Sequence, residues 1–262
     1  MKIVVFVKQV PNTDDVQLDP KTGNLRRDGV ESILNPMDAN GVEAALQLKA
    51  KFGGTVCVVT MGLPMASAVL KKCLAMGADE AYLLTDRPFG GADTLATSYT
   101  LAQAAKKIGD YDLLICGRLA TDGDTAQTGP AIASWLEVPQ ITLASSMEVE
   151  DGWVICDRKI NGNVQKVKAK LPALVTVTGD LNKPRYPKPI DIMKANKKPF
   201  FTWGVDDIDA DREKIGLPGT PSSNKAVFEP EKRTTDTKYF SNTDMAVAAK
   251  ELVDALMADH LI

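Results

Sequence analysis

The chain contains a single histidine, His260, among its 262 residues. Enzymes that use Ser–His or Cys–His pairs, and metal sites built from several histidines, need imidazoles held rigidly inside a site. His260 lies two residues from the end of the sequence, where we expect a solvated side chain. We therefore predict no catalytic side chain and no metal site, so that any chemistry must depend on carboxylates, lysines or a bound cofactor.

Cysteine is also scarce, and its spacing is uninformative for metal binding. The four cysteines, Cys57, Cys73, Cys116 and Cys156, lie far apart, and none belongs to a C-x-x-C pair. Three of them fall in apolar, strand-like segments. This pattern predicts buried free thiols in a reducing compartment.

Long apolar runs and a strong charge imbalance are missing as well. No stretch approaches the roughly 20 apolar residues that are needed to cross a bilayer. The opening MKIVVFVKQVPN is too short for a secretory signal and reads as a first strand. The net charge of −3 provides no broad basic footprint. We expect a cytoplasmic protein that neither inserts into membranes nor binds nucleic acid.

The standard phosphate-binding motifs do not occur. No G-x-G-x-x-G follows the first strand, and no G-x-x-x-x-G-K-[ST] is present anywhere. A standard dinucleotide fold and a P-loop nucleoside triphosphatase are therefore disfavoured.

What the sequence does contain is a regular alternation of strand-like and helix-like segments over its first 140 residues. The predicted strands are 2–10, 55–61, 80–85 and 113–116, and the predicted helices are 39–52, 64–76, 93–108 and 126–136. Such alternation predicts an α/β fold with a parallel sheet, right-handed crossovers and helices on both faces.

The rhythm changes after Pro139. Four short strands, 141–149, 153–160, 164–170 and 174–178, are separated by hairpin turns and predict an antiparallel extension of the same sheet. Residues 180–230 show little periodicity, so we expect them to be disordered or laid over a partner. An amphipathic helix at 243–257, capped by Asn242 or Thr243, has no obvious core in this chain and is expected to dock on another subunit.

The loop between the fourth strand and the next helix is the first candidate site. It reads GRLATDGDTAQTGP over residues 117–130. Ligands of open parallel sheets collect beyond the carboxyl ends of strands, and free amides at a helix start suit a pyrophosphate. Gly117, Gly123 and Gly129 permit close backbone approach. The alternative is a polar loop in which Asp124 or Thr125 only caps the helix.

Other segments allow two interpretations each. The loop FGGADT at 89–94 faintly resembles the pyrophosphate loop of ATP-cleaving synthetases, although Phe89 replaces the first serine and the loop follows the third strand instead of the first. Its alternative is a turn with Asp93 as a helix cap. Asn35–Asp38 reads as a cap or as part of a nucleotide pocket, and Lys8 as a phosphate-binding cation or as a solvated lysine.

Four stretches together resemble the β subunit of electron-transferring flavoproteins, and the match runs through essentially the whole chain. They read VFVKQV, LNPMDANGVEAA, GRLATDGDTAQTGP and AKLPALVTVTGDLNKPRYPKPIDIMKA. The resemblance implies an αβ heterodimer in which the β subunit folds as a nucleotide-binding α/β layer. It also implies a division into a nucleotide domain (1–180), a partner-recognition loop (181–200) and a C-terminal arm docking on the α subunit (201–262).

The family divides into members whose β subunit holds AMP and members whose β subunit holds a second FAD. The pattern DGDTA at 122–126, with GADT at 91–94 and Thr97, is similar to that of the flavin-bifurcating group. Carried over by position, the resemblance implies a cofactor site made of Phe6, Val7, Lys8, Asn35, Asp38, Met61, Gly62, Thr94, Thr97, Gly117, Arg118, Thr121, Asp122, Gly123, Asp124, Thr125, Ala126, Gln127 and Thr128.

The same resemblance implies a function in electron transfer. NADH would reduce FAD in this subunit, one electron would pass to a ferredoxin or flavodoxin, and the other would pass through the α-subunit FAD to an acyl-CoA dehydrogenase. The alternatives are a non-bifurcating subunit that holds AMP and, from another class, an ATP-cleaving enzyme. Pro189 stands where mitochondrial-type members place an anchoring leucine. The implied partner-binding residues are Pro184, Arg185, Tyr186, Pro189, Ile190, Ile192 and Met193.

Overall fold

The computed structural model describes residues 1–12, 31–223, 237–241 and 244–262. Residues 1–225 form one compact unit and residues 226–262 form a second. No helix in the described part of the chain is long and apolar enough to cross a membrane. All four cysteines are buried free thiols, as predicted.

The described residues include eleven strands, six α-helices and two short 3-10 helices, Pro64–Ala66 and Arg87–Phe89. The strands are β1 (Lys2–Phe6), β2 (Gln9–Pro11), β3 (Ser32–Leu34), β4 (Thr55–Met61), β5 (Glu80–Leu84), β6 (Leu113–Gly117), β7 (Gln140–Glu150), β8 (Trp153–Ile160), β9 (Asn163–Lys170), β10 (Ala173–Val177) and β11 (Phe200–Trp203). The helices are α1 (Pro36–Phe52), α2 (Ser67–Met76), α3 (Thr94–Ile108), α4 (Thr128–Leu136), α5 (Pro189–Ala195) and α6 (Met245–Ala258).

Nine of the strands form one sheet in the order β11-β5-β4-β1-β6-β10-β7-β8-β9, and β2 pairs with β3 separately. Neighbours from β11 to β7 are parallel, whereas β8 runs antiparallel to both β7 and β9. Apolar residues of α1 and α2 pack on one face and those of α3 and α4 on the other. The predicted α/β fold with helices on both faces is confirmed.

The order of the strands reverses between β1 and β6. After β1 the chain adds β4 and β5 on one side, and then crosses to β6 on the other. The connections that leave β1 and β6 therefore diverge, and a crevice opens beyond the carboxyl ends of these two strands. In open α/β sheets this is where ligands bind.

One strand differs from its prediction. The sequence placed 174–178 in the antiparallel extension, but β10 lies inside the sheet and is parallel to both β6 and β7. All five of its residues are buried, which is typical of a central parallel strand and unlike the alternation of a half-exposed one. The first predicted strand is also shorter, since β1 ends at Phe6 and Gln9–Pro11 pairs with β3 instead.

The expectation that residues 180–230 are disordered is wrong over 180–223, because this segment forms α5 and β11 and packs in part on the chain itself. That it also lies over a partner stays a prediction, and residues 224–230 lie outside the described part. β11 adds a parallel strand beside β5. Val205, Ile208 and Ile215 are buried against the α3 face of the sheet. Because these three residues are irregularly spaced, they leave no periodic signal in the sequence. They are nevertheless as completely buried as the core residues of a regular helix.

Helix α6 in the second unit begins at Met245, and the carboxylate of Asp244 caps it by accepting a hydrogen bond from Ala246 N. The predicted caps, Asn242 and Thr243, lie outside the described residues. Met245 and Leu252, on the predicted apolar stripe, are exposed. Docking of this helix on another subunit stays a prediction.

Replacing Ile215 by alanine tests the packing of residues 204–223. Ile215 is 1 % exposed, so Ile215→Ala is expected to lower the free energy of unfolding by about 2–4 kcal/mol through lost burial and a cavity. Leu217 is 71 % exposed, and Leu217→Ala should cost less than about 1 kcal/mol. Urea unfolding of both variants measures the difference; equal costs would contradict this packing.

Candidate functional site

A cavity of about 380 Å³ lies at the switch point between β1 and β6. Its wall is made by the ends of these strands, the loops that follow β5 and β6, and the first turns of α3 and α4. The predicted site residues that line it are Phe6, Val7, Lys8, Asp38, Met61, Thr94, Thr97, Gly117, Arg118, Gly123, Asp124, Thr125, Ala126 and Thr128. The structure thus brings most of the predicted set together around one space.

The remaining predicted residues, Asn35, Gly62, Thr121, Asp122 and Gln127, are not part of the wall. The wall also contains Ala92, Asp93, Leu119, Ala120 and Gly129, which belong to the two candidate loops at 89–94 and 117–130, and Leu101 and Cys116, which the sequence reading missed. Leu101 could have been found from the sequence. It follows Thr94 and Thr97 at helical spacing and therefore shares their face of α3.

The carboxylate of Asp38 joins the two strand ends. It accepts hydrogen bonds from Lys8 N at 2.8 Å and from Gly117 N at 3.0 Å. Burial raises the pKa of Asp38 to about 7, against the lowering effect of these two backbone donors, of the Asn35 side chain and of the charge on Lys8. A side chain from the first turn of α1 thereby fixes the separation of β1 and β6 at the floor of the cavity.

Asn35 occupies the N-cap position of α1, but its side chain makes no capping hydrogen bond. Its Nδ2 donates to Leu119 O at 2.8 Å, and its Oδ1 accepts from Thr121 N at 3.2 Å. The interpretation of this side chain as a cap is therefore wrong. Asn35 instead holds the start of the loop that follows β6, from behind the wall.

Lys8 is neither free nor simply solvated. Its Nζ lies 2.7 Å from the Oδ1 of Asp122, whose side chain is almost fully buried, while the lysine side chain is about half exposed. The ion pair fastens the loop after β6 to the end of β1. It also places the ammonium group of Lys8 beside Gly123, at the cavity.

The backbone of residues 123–128 has an unusual shape. Asp124 and Ala126 have φ values of 46° and 55°, in the left-handed region that an alanine rarely adopts. Alternation of left- and right-handed residues turns successive N–H groups to the same side, which creates an anion-binding concavity. The helix that follows is capped at Gln127 without a side-chain bond, so the interpretation of Asp124 or Thr125 as its cap is wrong.

The three glycines of this loop have different reasons to be glycine. A Cβ on Gly117 would lie 2.3 Å from Asp38 Oδ1, and one on Gly129 would lie 2.6 Å from Thr176 Cγ2. A Cβ on Gly123 would meet only Lys8 Nζ, at 3.9 Å. Gly117 and Gly129 thus allow the protein to pack on itself, whereas Gly123 leaves the cavity open.

The loop after β5 closes the opposite side of the cavity. Asp93 caps α3, as predicted, by accepting hydrogen bonds from Leu95 N and Ala96 N. It also belongs to the cavity wall. The interpretation of Asp93 as a helix cap is confirmed, whereas the resemblance of this loop to a pyrophosphate loop has no further support. The Oγ1 atoms of Thr94 and Thr125 lie 3.4 Å apart and connect the two loops.

The predicted partner-binding residues lie on α5 and the segment that leads into it. Tyr186 is 89 % exposed, and Ile190, Ile192 and Met193 are exposed by more than half. Arg185 differs, because its Nε and Nη2 atoms bind Glu43 of α1 at 2.7 and 2.9 Å. Although burial raises the pKa of Glu43, these bonds and the charge of Arg185 hold it below its ordinary value. Arg185 anchors the segment to α1.

Residues 22–208 match the electron transfer flavoprotein domain. The chain belongs to the electron transfer flavoprotein family. It is 43 % identical to the electron transfer flavoprotein subunit beta of Thermoanaerobacterium thermosaccharolyticum over the full length of both chains. It is 45 % identical, again over both full lengths, to the caffeyl-CoA reductase–Etf complex subunit CarD of Acetobacterium woodii. It is 39 % identical to protein FixA of Azotobacter vinelandii, over 98 % of this chain and 94 % of that one.

The similarity to these relatives shows that the chain is a flavoprotein β subunit and that it functions in electron transfer. β Subunits of electron transfer flavoproteins pair with an α subunit, and the family is associated with flavin or AMP.

Adding one methyl group at two positions of this electron transfer flavoprotein loop tests the roles of its glycines. Gly117→Ala is expected to lower the free energy of unfolding by about 1–3 kcal/mol, because the methyl group overlaps the Asp38 carboxylate. Gly123→Ala should change it by about 0.5 kcal/mol or less, since the methyl group meets open space. Urea unfolding compares the two; a similar cost at both positions would refute the packing role of Gly117.

Proposed function

We propose that this chain is the β subunit of a flavin-bifurcating electron transfer flavoprotein and that its cavity holds FAD. One observation carries the proposal: the two sides of the cavity differ in chemistry. The side formed by 123–128 has left-handed backbone at Asp124 and Ala126, which favours an anion. The side formed by 92–97 presents Ala92, Thr94 and Thr97, and its one carboxylate, that of Asp93, is already bound by α3 and Ser222.

The phosphate side fits a pyrophosphate without a glycine-rich consensus motif. Asp124 N already donates to Ala120 O at 2.8 Å, so we assign the donor role to the amides of Thr125 and Ala126 and to the first amides of α4, where the helix start adds a partial positive charge. Lys8 can share its charge between Asp122 and a phosphate, because its side chain is half exposed. We assign the residues from Gly117 to Thr128 to this role.

The second side fits the ring end of a flavin. Thr94 and Thr97 present hydroxyl groups, while Ala92 leaves room beside them. When bound, FAD supplies the redox chemistry: it accepts a hydride from NADH and releases its electrons one at a time. The residues of this chain orient the cofactor and tune its potential through hydrogen bonds, which agrees with a sequence that has a single histidine.

Two observations support the proposed electron-transfer partners: the name of one relative and the exposed apolar residues around α5. The name of the relative from Acetobacterium woodii places it in a complex with caffeyl-CoA reductase, which favours an acyl-CoA dehydrogenase as one partner here. We assign its docking to Tyr186, Ile190, Ile192 and Met193, which are exposed next to several lysines. A ferredoxin or flavodoxin would receive the other electron, and α6 would dock on the α subunit.

A second candidate is a non-bifurcating subunit in which AMP fills the site. The volume of about 380 Å³ favours it, because this lies near the lower end of the roughly 300–1,000 Å³ found for small-molecule sites. An ATP-cleaving enzyme has no such support, since the loop at 89–94 follows β5 and its aspartate already caps α3.

Counting the nucleotides in the purified αβ complex decides between the two candidates. We expect about two FAD per heterodimer and no AMP, because this subunit would add one flavin to that of the α subunit. The complex is denatured, and the released FAD and AMP are quantified by chromatography. One FAD together with one AMP would instead select the non-bifurcating subunit.

Introducing a carboxylate at Gly123 tests the assignment of the phosphate side. Gly123→Glu is expected to lower the affinity of the β site for FAD at least about tenfold, because the new charge competes for Lys8 and repels phosphate. Gly179→Glu is the matched control: Gly179 is exposed, and a Cβ there has no neighbour within 4 Å. Equal FAD content in both variants would refute the assignment.

A further inference from the structure

Residues 215–222, which we call the strap, lie directly on the loop that forms one side of the cavity. The strap begins at Ile215, whose side chain is buried. A Cβ on Gly216, whose φ is +50°, would lie 1.9 Å from Pro88 O, so the two backbones are in close contact here. Leu217 then packs over Gly91.

Two hydroxyl groups of the strap bind the same loop. Thr220 Oγ1 accepts a hydrogen bond from Asp93 N at 3.0 Å and lies within hydrogen-bond distance of the carbonyl oxygens of Gly91 and Gly216. Ser222 Oγ donates to Asp93 Oδ2 at 2.8 Å. Backbone and carboxylate of one aspartate are thus both held by the strap.

The loop that the strap binds is also the wall of the cavity. Ala92, Asp93 and Thr94 all line it. The second carboxylate oxygen of Asp93 accepts from Leu95 N at 2.9 Å and from Ala96 N at 3.1 Å, at the start of α3. Any rotation of this carboxylate therefore changes the strap, the cavity wall and the end of the helix together.

We propose that Thr220 and Ser222 are positioning residues for the ring end of the cavity. By holding Ala92–Thr94 in place they preorganise the wall that receives the flavin ring, and the bound ring in turn holds the strap. The inference rests on the proposed function, since it assumes FAD in this cavity. The strap is the last described segment of the first compact unit, so ligand binding is linked to the point at which the chain leaves that unit.

Thermodynamic linkage makes the two effects reciprocal. A substitution that loosens the strap must lower the affinity for FAD, and bound FAD must make opening of the strap less favourable by the same factor. AMP differs, because it lacks the isoalloxazine ring of FAD, so that its adenine, ribose and phosphate need no contact with residues 92–97. A substitution that lowers the affinity for FAD but not the affinity for AMP therefore indicates a positioning role, because a general loss of structure would lower both.

The test uses the αβ complex stripped of flavin, into which FAD and, separately, AMP are titrated. Ser222→Ala is expected to weaken FAD binding at the β site about three- to tenfold and to leave AMP binding unchanged. Ser222→Thr keeps the hydroxyl group and should restore the affinity. Ser223→Ala removes the same atom one residue further along, at an exposed position, and serves as the control.

Hydrogen exchange of the strap, with and without FAD, gives the second readout. FAD should slow exchange at residues 215–222 in the wild-type complex, and less so in Ser222→Ala. Intact FAD binding with unchanged exchange, or an equal loss of FAD and AMP affinity in Ser222→Ala, would overturn the positioning role alone. If wild type binds no FAD at the β site, the proposed function falls as well.

Discussion

The hydrogen bonds of the Asp38 carboxylate are the interaction on which the rest of the site depends. A carboxylate that is almost fully buried is costly unless donors replace its water, and here the amides of Lys8 and Gly117 do so. These donors belong to the ends of β1 and β6, so the cost of burying Asp38 is offset only while both strands end at the correct distance. The geometry of the crevice is thereby coupled to the stability of the fold.

Helix α1 extends this constraint over a large part of the first unit. Asn35 and Asp38 hold the loop and strand ends around the cavity, and further along the helix Asn40 and Glu43 hold the segment before α5. Asn40 Nδ2 donates to Asn182 O at 2.7 Å, and Asn182 Nδ2 donates back to Asn40 O at 3.0 Å. The cavity and the exposed residues around Tyr186 are therefore positioned by one rigid element.

The accuracy of the sequence-based predictions follows the physics of each segment. β4 and β8 have the predicted bounds, because apolar runs with clear turns around them leave little choice. β10 was assigned to the wrong part of the sheet, since a strand buried on both faces has no period that reveals its neighbours. The cavity residues came mainly from family resemblance. The roles of Thr220 and Ser222 could not be predicted from the sequence, because their partner, Asp93, is more than a hundred residues away along the chain.

The edge position of β11 has a consequence for solubility. The strand lies along β5, and Lys198 just before it donates to Leu74 O and Ala78 O at the end of α2. Without this cover, the backbone groups of β5, in a strand that is largely buried, would face water unpaired. An exposed edge of that kind is a template for pairing with other molecules. The segment after 180 therefore moves the edge of the sheet from the largely buried β5 to β11, a strand of four residues.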